Sequence, residues 1–443
     1  MIEQRSNWLI DPVLIFSIVS LSFVGALFIY SGGVSDNPLQ VGGERFIKQI
    51  IWIVTGLLLL YFSFSVHTLT YRRIAASLYS LGILFLIVTL FIGKEVNGAK
   101  AWIGIGKFGI QPSEFMKLAL VFFLANLGTS SQVNLKSFSF FGILLFYGFL
   151  PSFLVFLQHD LGTAILYPLI FFIMAFVLGV RLRYFLFTFF LMVGVVLLAI
   201  ASVWLSMVYD FPPTILNVLK SFKFNFIVTC SMFLIALLAY LGWFFSGSRV
   251  LYWISYGALF IGLVLSITYF LLRILKGYQI NRLMAFLDPY RDPQGSGWNI
   301  IQSLTAIGSG ELFGKGYLQG TQAQYRFLPE QNTDFIFSTI GEEWGFLGSM
   351  AVFLVYFLLL FRSLQIAKSI DNLFVFNVCV GIIAIFFLHF LINIGMVLGM
   401  MPIIGIPLLF LSYGGSAMWM SMLAAGILLG AYQRRDKFPL VSH

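Results

Sequence analysis

Stretches of about 20 consecutive apolar residues recur from one end of this chain to the other, and they decide its fold class. As α-helices, such runs are long enough to cross the ~30 Å hydrocarbon core of a bilayer. Only helices and closed barrels can span a bilayer, because no water there satisfies backbone groups. Continuous apolar runs, rather than alternation over ~10 residues, exclude the barrel. The runs fall near 12–30, 46–65, 72–92, 114–128, 138–156, 161–179, 183–208, 224–245, 250–273, 335–361, 372–392 and 413–431, twelve spans in all. With 60% of its 443 residues hydrophobic and 10% charged, the chain is too apolar for a water-soluble fold. The expected architecture is an all-α polytopic membrane bundle. No linker divides it, so 1–443 reads as a single membrane domain, and no internal repeat stands out. The first run lacks a small-residue cleavage site and reads as a retained helix, begun by Asp11-Pro12.

Charge orients the bundle. Arg5, Arg72, Arg73, Lys136, Arg181, Arg183, Arg249, Arg362, Lys368, Arg434, Arg435 and Lys437 fall on one side, which the positive-inside bias makes cytoplasmic. Both termini are then cytoplasmic, and the polar segment between 273 and 335 lies outside. The net charge of +9 suits anionic lipid or phosphate, and nucleic acid is not an expected partner. Cys230 and Cys379 sit in apolar runs and read as small core hydrophobes. The four histidines form neither a nucleophile set nor a metal cluster; His389 lies within a span, and His159 has no nucleophile beside it.

The outer segment concentrates Arg282, Asp288, Arg291, Asp292, Glu311, Lys315, Arg326, Glu330 and Asp334 in a chain poor in charge. A long ordered loop of this kind has a functional reason to exist. Asp292 precedes Pro293, which holds it extended, and Gly295-Ser296-Gly297 lets backbone approach a ligand. That suits a general base, although Asp288-Pro289 is a near duplicate and both aspartates also suit turns. Glu114 and Lys117, three residues apart, share a helix face and can pair, either structurally or to receive a phosphate. Asp160 is placed to cap the next helix. Adjacent Glu342 and Glu343 point ~100° apart on a helix, so one of them, Glu343 by preference, faces a cavity. Residues 93–113 form an outer loop; its Gly104-x-Gly106-x-x-Gly109 lacks the βαβ context of a dinucleotide site.

These motifs together resemble the SEDS proteins (shape, elongation, division and sporulation), which are membrane-embedded peptidoglycan glycosyltransferases. The matching stretches are Asn97-Gly-Ala, Gln111-Pro-Ser-Glu-Phe-x-Lys117, Gln158-x-Asp-Leu-Gly-Thr163 and Tyr278-Gln-x-x-Arg282. They continue with Asp288-Pro-x-x-Asp-Pro-x-Gly-x-Gly297, Phe327-Leu-Pro-Glu-x-x-Thr-Asp-Phe-Ile-Phe337, Gly341-Glu-Glu343 and Pro407-x-x-x-x-Ser-Tyr-Gly-Gly-Ser416. Gly320-Thr-Gln-x-Gln324 and Asn393-Ile-Gly-Met-Val-x-Gly399 look like the elongation branch, RodA, rather than the division branch, FtsW.

The resemblance implies polymerisation of lipid II outside the bacterial cytoplasmic (inner) membrane, with the growing glycan strand as donor. It makes Asp292 the catalytic base. It makes Glu114, Lys117, Asp160, Tyr278, Gln279, Arg282, Gly295, Gly297, Gln322, Asp334, Glu343 and Ser412 the residues around the substrate. A class B penicillin-binding protein and other elongation-complex membrane proteins are the implied partners. No cofactor is implied, although a divalent cation is compatible with pyrophosphate as leaving group. A lipid II flippase or a non-catalytic scaffold is the alternative reading, and Asp292 discriminates, since neither needs a carboxylate on an outer loop. Asn332 stands where the family usually has His, His159 where it has Pro, and Ala101 where Arg is common. The family also has two fewer spans before Tyr278, so 183–245 reads as an inserted, lipid-facing helix pair beside a catalytic loop at 274–334.

Overall fold

A computed structural model describes residues 10–33, 42–96, 98–105, 108–130, 134–208, 221–275, 277–325 and 327–435. Both termini, with Arg5 and Lys437, lie outside the described residues, as do Asn97, Lys276 and Arg326. The chain opens with α1 (Pro12–Ser31), α2 (Gly42–Ser65) and α3 (Thr68–Ile92), then β1 (Lys94–Val96), β2 (Ala99–Ile105) and β3 (Phe108–Ile110). Next come α4 (Pro112–Gly128), α5 (Phe138–Leu157), α6 (Leu161–Val177), α7 (Leu182–Val208), α8 (Phe222–Ser246) and α9 (Arg249–Ile274). After them follow α10 (Gly277–Leu287), a 3-10 turn (Pro289–Arg291), α11 (Trp298–Ser309) and α12 (Thr321–Gln324). The last elements are α13 (Ile336–Lys368), α14 (Leu373–Val397) and α15 (Gly415–Gln433).

Each predicted span falls on one of these helices. Among the described residues ten are long and apolar enough to cross a membrane. The other two spans fall on α4 and α6, each 17 residues long and so at the lower limit for spanning. The protein is an all-α polytopic membrane protein. Two compact units divide it: 1–181 with 299–443, and 182–298.

In the first unit α4, α6, α14 and α15 are mostly buried, and α2, α3 and α5 present much of their surface outward. The start of α1 is fixed as the sequence predicts: Asp11 accepts from the Leu14 amide at 2.9 Å. The same buried carboxylate pairs with Arg362 of α13 at 2.6 Å. Within the expected outer loop at 93–113, the strands β1, β2 and β3 form a three-stranded antiparallel sheet in that order. Val96 pairs with Ala99, so only two residues turn the first hairpin.

α13 is broken at Gly345, whose φ of 64° and ψ of −160° suit glycine alone. A break at membrane depth frees backbone groups that need partners. Residues 310–316 supply them. The Phe346 and Leu347 amides donate to the Glu311 and Leu312 carbonyls at 2.8 and 3.1 Å, and the Lys315 and Gly316 amides to Glu342 and Glu343, both at 3.0 Å.

In the second unit α8 and α9 form a tight antiparallel hairpin, α9 packs on α7, and α7 packs on α10. Phe224, Phe226, Ile227, Phe244 and Phe245 of α8 are largely exposed, an apolar surface suited to lipid. The C-terminal end of α7 also reaches the Asp292 segment, where Arg291 donates to the Met207 carbonyl at 3.2 Å.

Candidate active site

The predicted site residues fall into three groups, two in the first unit and one in the second. The first group surrounds the start of α4. Pro112 opens that helix, and the three-residue spacing turns Glu114 and Lys117 to one face, where they pair at 2.9 Å. Both are buried, and Lys117 donates a second bond to His389 Nε2 of α14 at 2.7 Å. His389 Nδ1 lies 2.9 Å from the Pro407 carbonyl, which can only accept. The Nδ1 therefore carries the hydrogen, and with Lys117 as an ammonium donor Nε2 is the acceptor. Asp160 caps α6, accepting from the Thr163 amide at 3.1 Å and hydroxyl at 2.7 Å, and takes a third bond from Gln111 at 2.8 Å.

The second group lies where α13 begins. Glu342 and Glu343 are both fully buried, each with its own donors. Glu342 takes Lys315 Nζ at 2.7 Å, the Thr321 hydroxyl at 3.0 Å and the Gln322 amide at 3.0 Å. Glu343 takes the Leu318 amide at 3.1 Å, the Gly320 amide and the Ser31 hydroxyl. Neither faces an open cavity, because the 315–322 segment wraps both. Ser412 donates to the Thr333 carbonyl at 2.6 Å and accepts from the Leu408 amide at 2.8 Å, which binds it internally as well. The Asp334 carbonyl accepts from Asn393 at 2.8 Å.

The third group, in the second unit, includes the exposed Asp292 and Gly295. On α10 the Arg282 guanidinium stands 5.8 Å over the Tyr278 ring, one turn away, and Gln279 donates to the Tyr278 hydroxyl at 3.3 Å. The two aspartates of the repeated Asp-Pro are both exposed and accept from different amides. Asp288 accepts from the Tyr290 amide at 3.1 Å and caps the 3-10 turn. Asp292 is exposed, and its Oδ2 accepts from the Ser296 amide at 2.8 Å and hydroxyl at 3.2 Å. Gly295 and Gly297 close the turn, their amides donating to the Asp292 carbonyl at 3.3 and 3.0 Å. The Ser296 amide is the chief reason the Asp292 carboxyl is held below the usual aspartate range.

Sequence reasoning missed His389, Gln111, Ser296 and the Lys315–Glu342 pair. His389 carried a signal, since an ionisable side chain inside a span is by default a functional candidate. Among the described residues no three His, Cys, Asp or Glu side chains stand together as a metal cluster.

Residues 12–221 and 225–437 match the family of cell cycle proteins represented by FtsW, RodA and SpoVE. The chain is 40% identical to the peptidoglycan glycosyltransferase RodA of Treponema pallidum (strain Nichols), covering 96% of this chain and 98% of that protein. It is 32% identical to stage V sporulation protein E of Bacillus subtilis (strain 168), over 95% of this chain and 96% of the relative. It is also 32% identical to the peptidoglycan glycosyltransferase MrdB of Escherichia coli (strain K12), over 96% and 94%. In fold it is similar to a chain of a peptidoglycan synthase complex that coordinates polymerization and crosslinking, with TM-score 0.68 and 24% identity over 97% and 99% of the two chains. RodA of Thermus thermophilus gives a TM-score of 0.59 at 22% identity over 97% and 99%.

Proposed function

Because the chain belongs to the FtsW, RodA and SpoVE family of cell cycle proteins, we propose that it is a peptidoglycan glycosyltransferase that polymerises lipid II during cell elongation, with Asp292 as general base. The observation that carries the assignment of the base is the contrast among carboxylates. Glu114, Asp160, Glu342 and Glu343 are engaged by protein donors in the first unit. Asp288 and Asp292 are both exposed, and the family resemblance favours Asp292, whose Oδ2 accepts from the Ser296 amide and hydroxyl while the Gly295 amide also donates to the carboxylate.

The reaction needs little more than that carboxylate and cations. The GlcNAc 4-hydroxyl of the incoming lipid II attacks the anomeric carbon of the growing strand, and its proton passes to Asp292. The bond from that carbon to pyrophosphate breaks as the new glycosidic bond forms, and polyprenyl pyrophosphate leaves with the electron pair. Pyrophosphate needs positive charge rather than a proton, and the half-buried Arg282, which stands over the Tyr278 ring, offers a guanidinium. Lys117 is committed to Glu114 and His389, so it supports the first unit rather than presenting a free cation.

The protein is a multi-pass membrane protein. Its place in this reading is the bacterial cytoplasmic membrane, both termini inside and Asp292 outside, and a class B penicillin-binding protein is the partner that crosslinks the product. The test is polymerisation of lipid II by purified protein with that partner. Asp292→Asn is isosteric and cannot accept the proton, so it should lose polymerisation by on the order of a hundredfold or more while still folding and binding the partner. Near-wild-type glycan synthesis by that variant sinks the base assignment. Lipid II translocation without polymerisation by the wild type returns the protein to the flippase reading.

A further inference from the structure

We propose that Gly295 and Ser296 form a seat that fixes the Asp292 carboxylate in one orientation, with Oδ2 held and Oδ1 left for the acceptor hydroxyl. The proposal rests on Asp292 being the base. It makes Ser296 and Gly295 positioning residues.

Two observations meet at this turn. The first is that both Ser296 donors converge on the same oxygen: the amide at 2.8 Å and the hydroxyl at 3.2 Å reach Oδ2. An aspartate in an exposed loop otherwise samples several rotamers, and a base works only from within reach of its proton. Two Ser296 donors on Oδ2, with the Gly295 amide as a further donor to the carboxylate, favour a single rotamer and leave Oδ1 lone pairs for a new bond. The second observation is the space at Gly295. A Cβ there would lie 2.6 Å from Asp292 Oδ1 and 2.7 Å from Cγ, and closer still to Oδ2. Gly295 has no positive φ, so its backbone conformation is open to other residues. The carboxylate itself is what excludes a side chain at this position.

Neighbouring charges do not take over this role. On the same turn, Asp288 is bound to the Tyr290 amide and Arg291 to the Met207 carbonyl. On the packed helix α10, Arg282 stands over Tyr278. Among the described residues no ion pair includes Asp292.

The sign of the pH effect follows from hydrogen bonding to the charged form. Ser296 stabilises ionised Asp292 and lowers its pKa. The base is active when deprotonated, so rate is lost as pH falls through that pKa. Removing a Ser296 donor raises the pKa and moves the acid limb to higher pH.

The experiment measures lipid II polymerisation against pH for the full chain with its transpeptidase partner in lipid nanodiscs. Ser296→Ala should move the midpoint of the acid limb to higher pH, and Ser296→Thr should restore it. Gly295→Ala should keep the wild-type melting temperature yet lose plateau rate by on the order of a hundredfold, the effect of a base misplaced by about 1 Å. Either alanine variant matching the wild type in its own readout overturns the seat. If Gly295→Ala fails to fold, the Ser296→Ala profile decides alone. Asp292→Asn separates the layers. If that variant is inactive while Ser296→Ala and Gly295→Ala behave as wild type, only the seat fails; if it is active, the base reading fails.

Discussion

Lys117→Met removes one ammonium and strands two buried acceptors, Glu114 Oε2 at 2.9 Å and His389 Nε2 at 2.7 Å. Breaking a buried ion pair by deleting one partner costs about 3–5 kcal/mol, because the other charge stays behind. A neutral buried acceptor left without its donor costs about 1–3 kcal/mol more. The single variant should therefore lose roughly 4–8 kcal/mol, which rivals the whole stability of many proteins. Adding Glu114→Met removes the stranded carboxylate and leaves only the His389 orphan. The double variant should then lose about 1–3 kcal/mol, although it carries more substitutions. The assay is unfolding of purified protein in one detergent, read as the order of melting temperatures: wild type, then double, then single. A single variant at least as stable as the double refutes the coupled triad. The double variant also tests function: if the pair shapes the substrate cavity, it folds yet fails to polymerise lipid II, and a wild-type rate makes the triad purely structural.

Gly345→Ala should cost about 3 kcal/mol or more, because its φ is 64° and a Cβ there would meet the Gly310 carbonyl oxygen at 2.8 Å; yield of folded protein in detergent reads this, and a wild-type yield counts against it. Lys315→Met should cost less than Lys117→Met, about 1.5–3 kcal/mol, since Glu342 keeps Thr321 and Gln322 as donors. Equal melting temperatures for the two variants would show that those donors contribute nothing.

The spans were legible because each is written twice, in length and in apolarity, and the helices of this fold satisfy their own backbone. What escaped depends on partners distant in sequence. Gly345 is one glycine among 41, and only the 310–316 segment shows that the helix must break there. The internal bonding of Glu343 and Ser412 has the same origin, since their partners come from α1, from 318–320 and from Thr333. The sheet at 94–110 was within reach: Asn97-Gly98 between two short segments is a strong hairpin signal. The Asp288 and Asp292 duplication was not, since the same Asp-Pro precedes a 3-10 turn in one case and a Gly-Ser-Gly turn in the other. Which amide each aspartate accepts from appears only in the backbone that follows.

The distribution of bonds to carboxylates separates residues that hold the protein together from those available for chemistry. An uncompensated charge at membrane depth is costly, and the buried carboxylates of the first unit are each answered. Asp11 has Arg362, Glu114 has Lys117 and Glu342 has Lys315. Among the described residues Glu343 forms no ion pair, and it is answered by the Leu318 and Gly320 amides and the Ser31 hydroxyl. A reaction that moves a proton and releases a pyrophosphate needs groups whose partners are water and substrate. In the proposed reading the reacting groups are Asp292, whose hydrogen-bond partner Ser296 is neutral, and Arg282, both in the polar segment that follows α9. Substitutions of the first kind should therefore act on melting temperature, and substitutions of the second on rate with the fold intact.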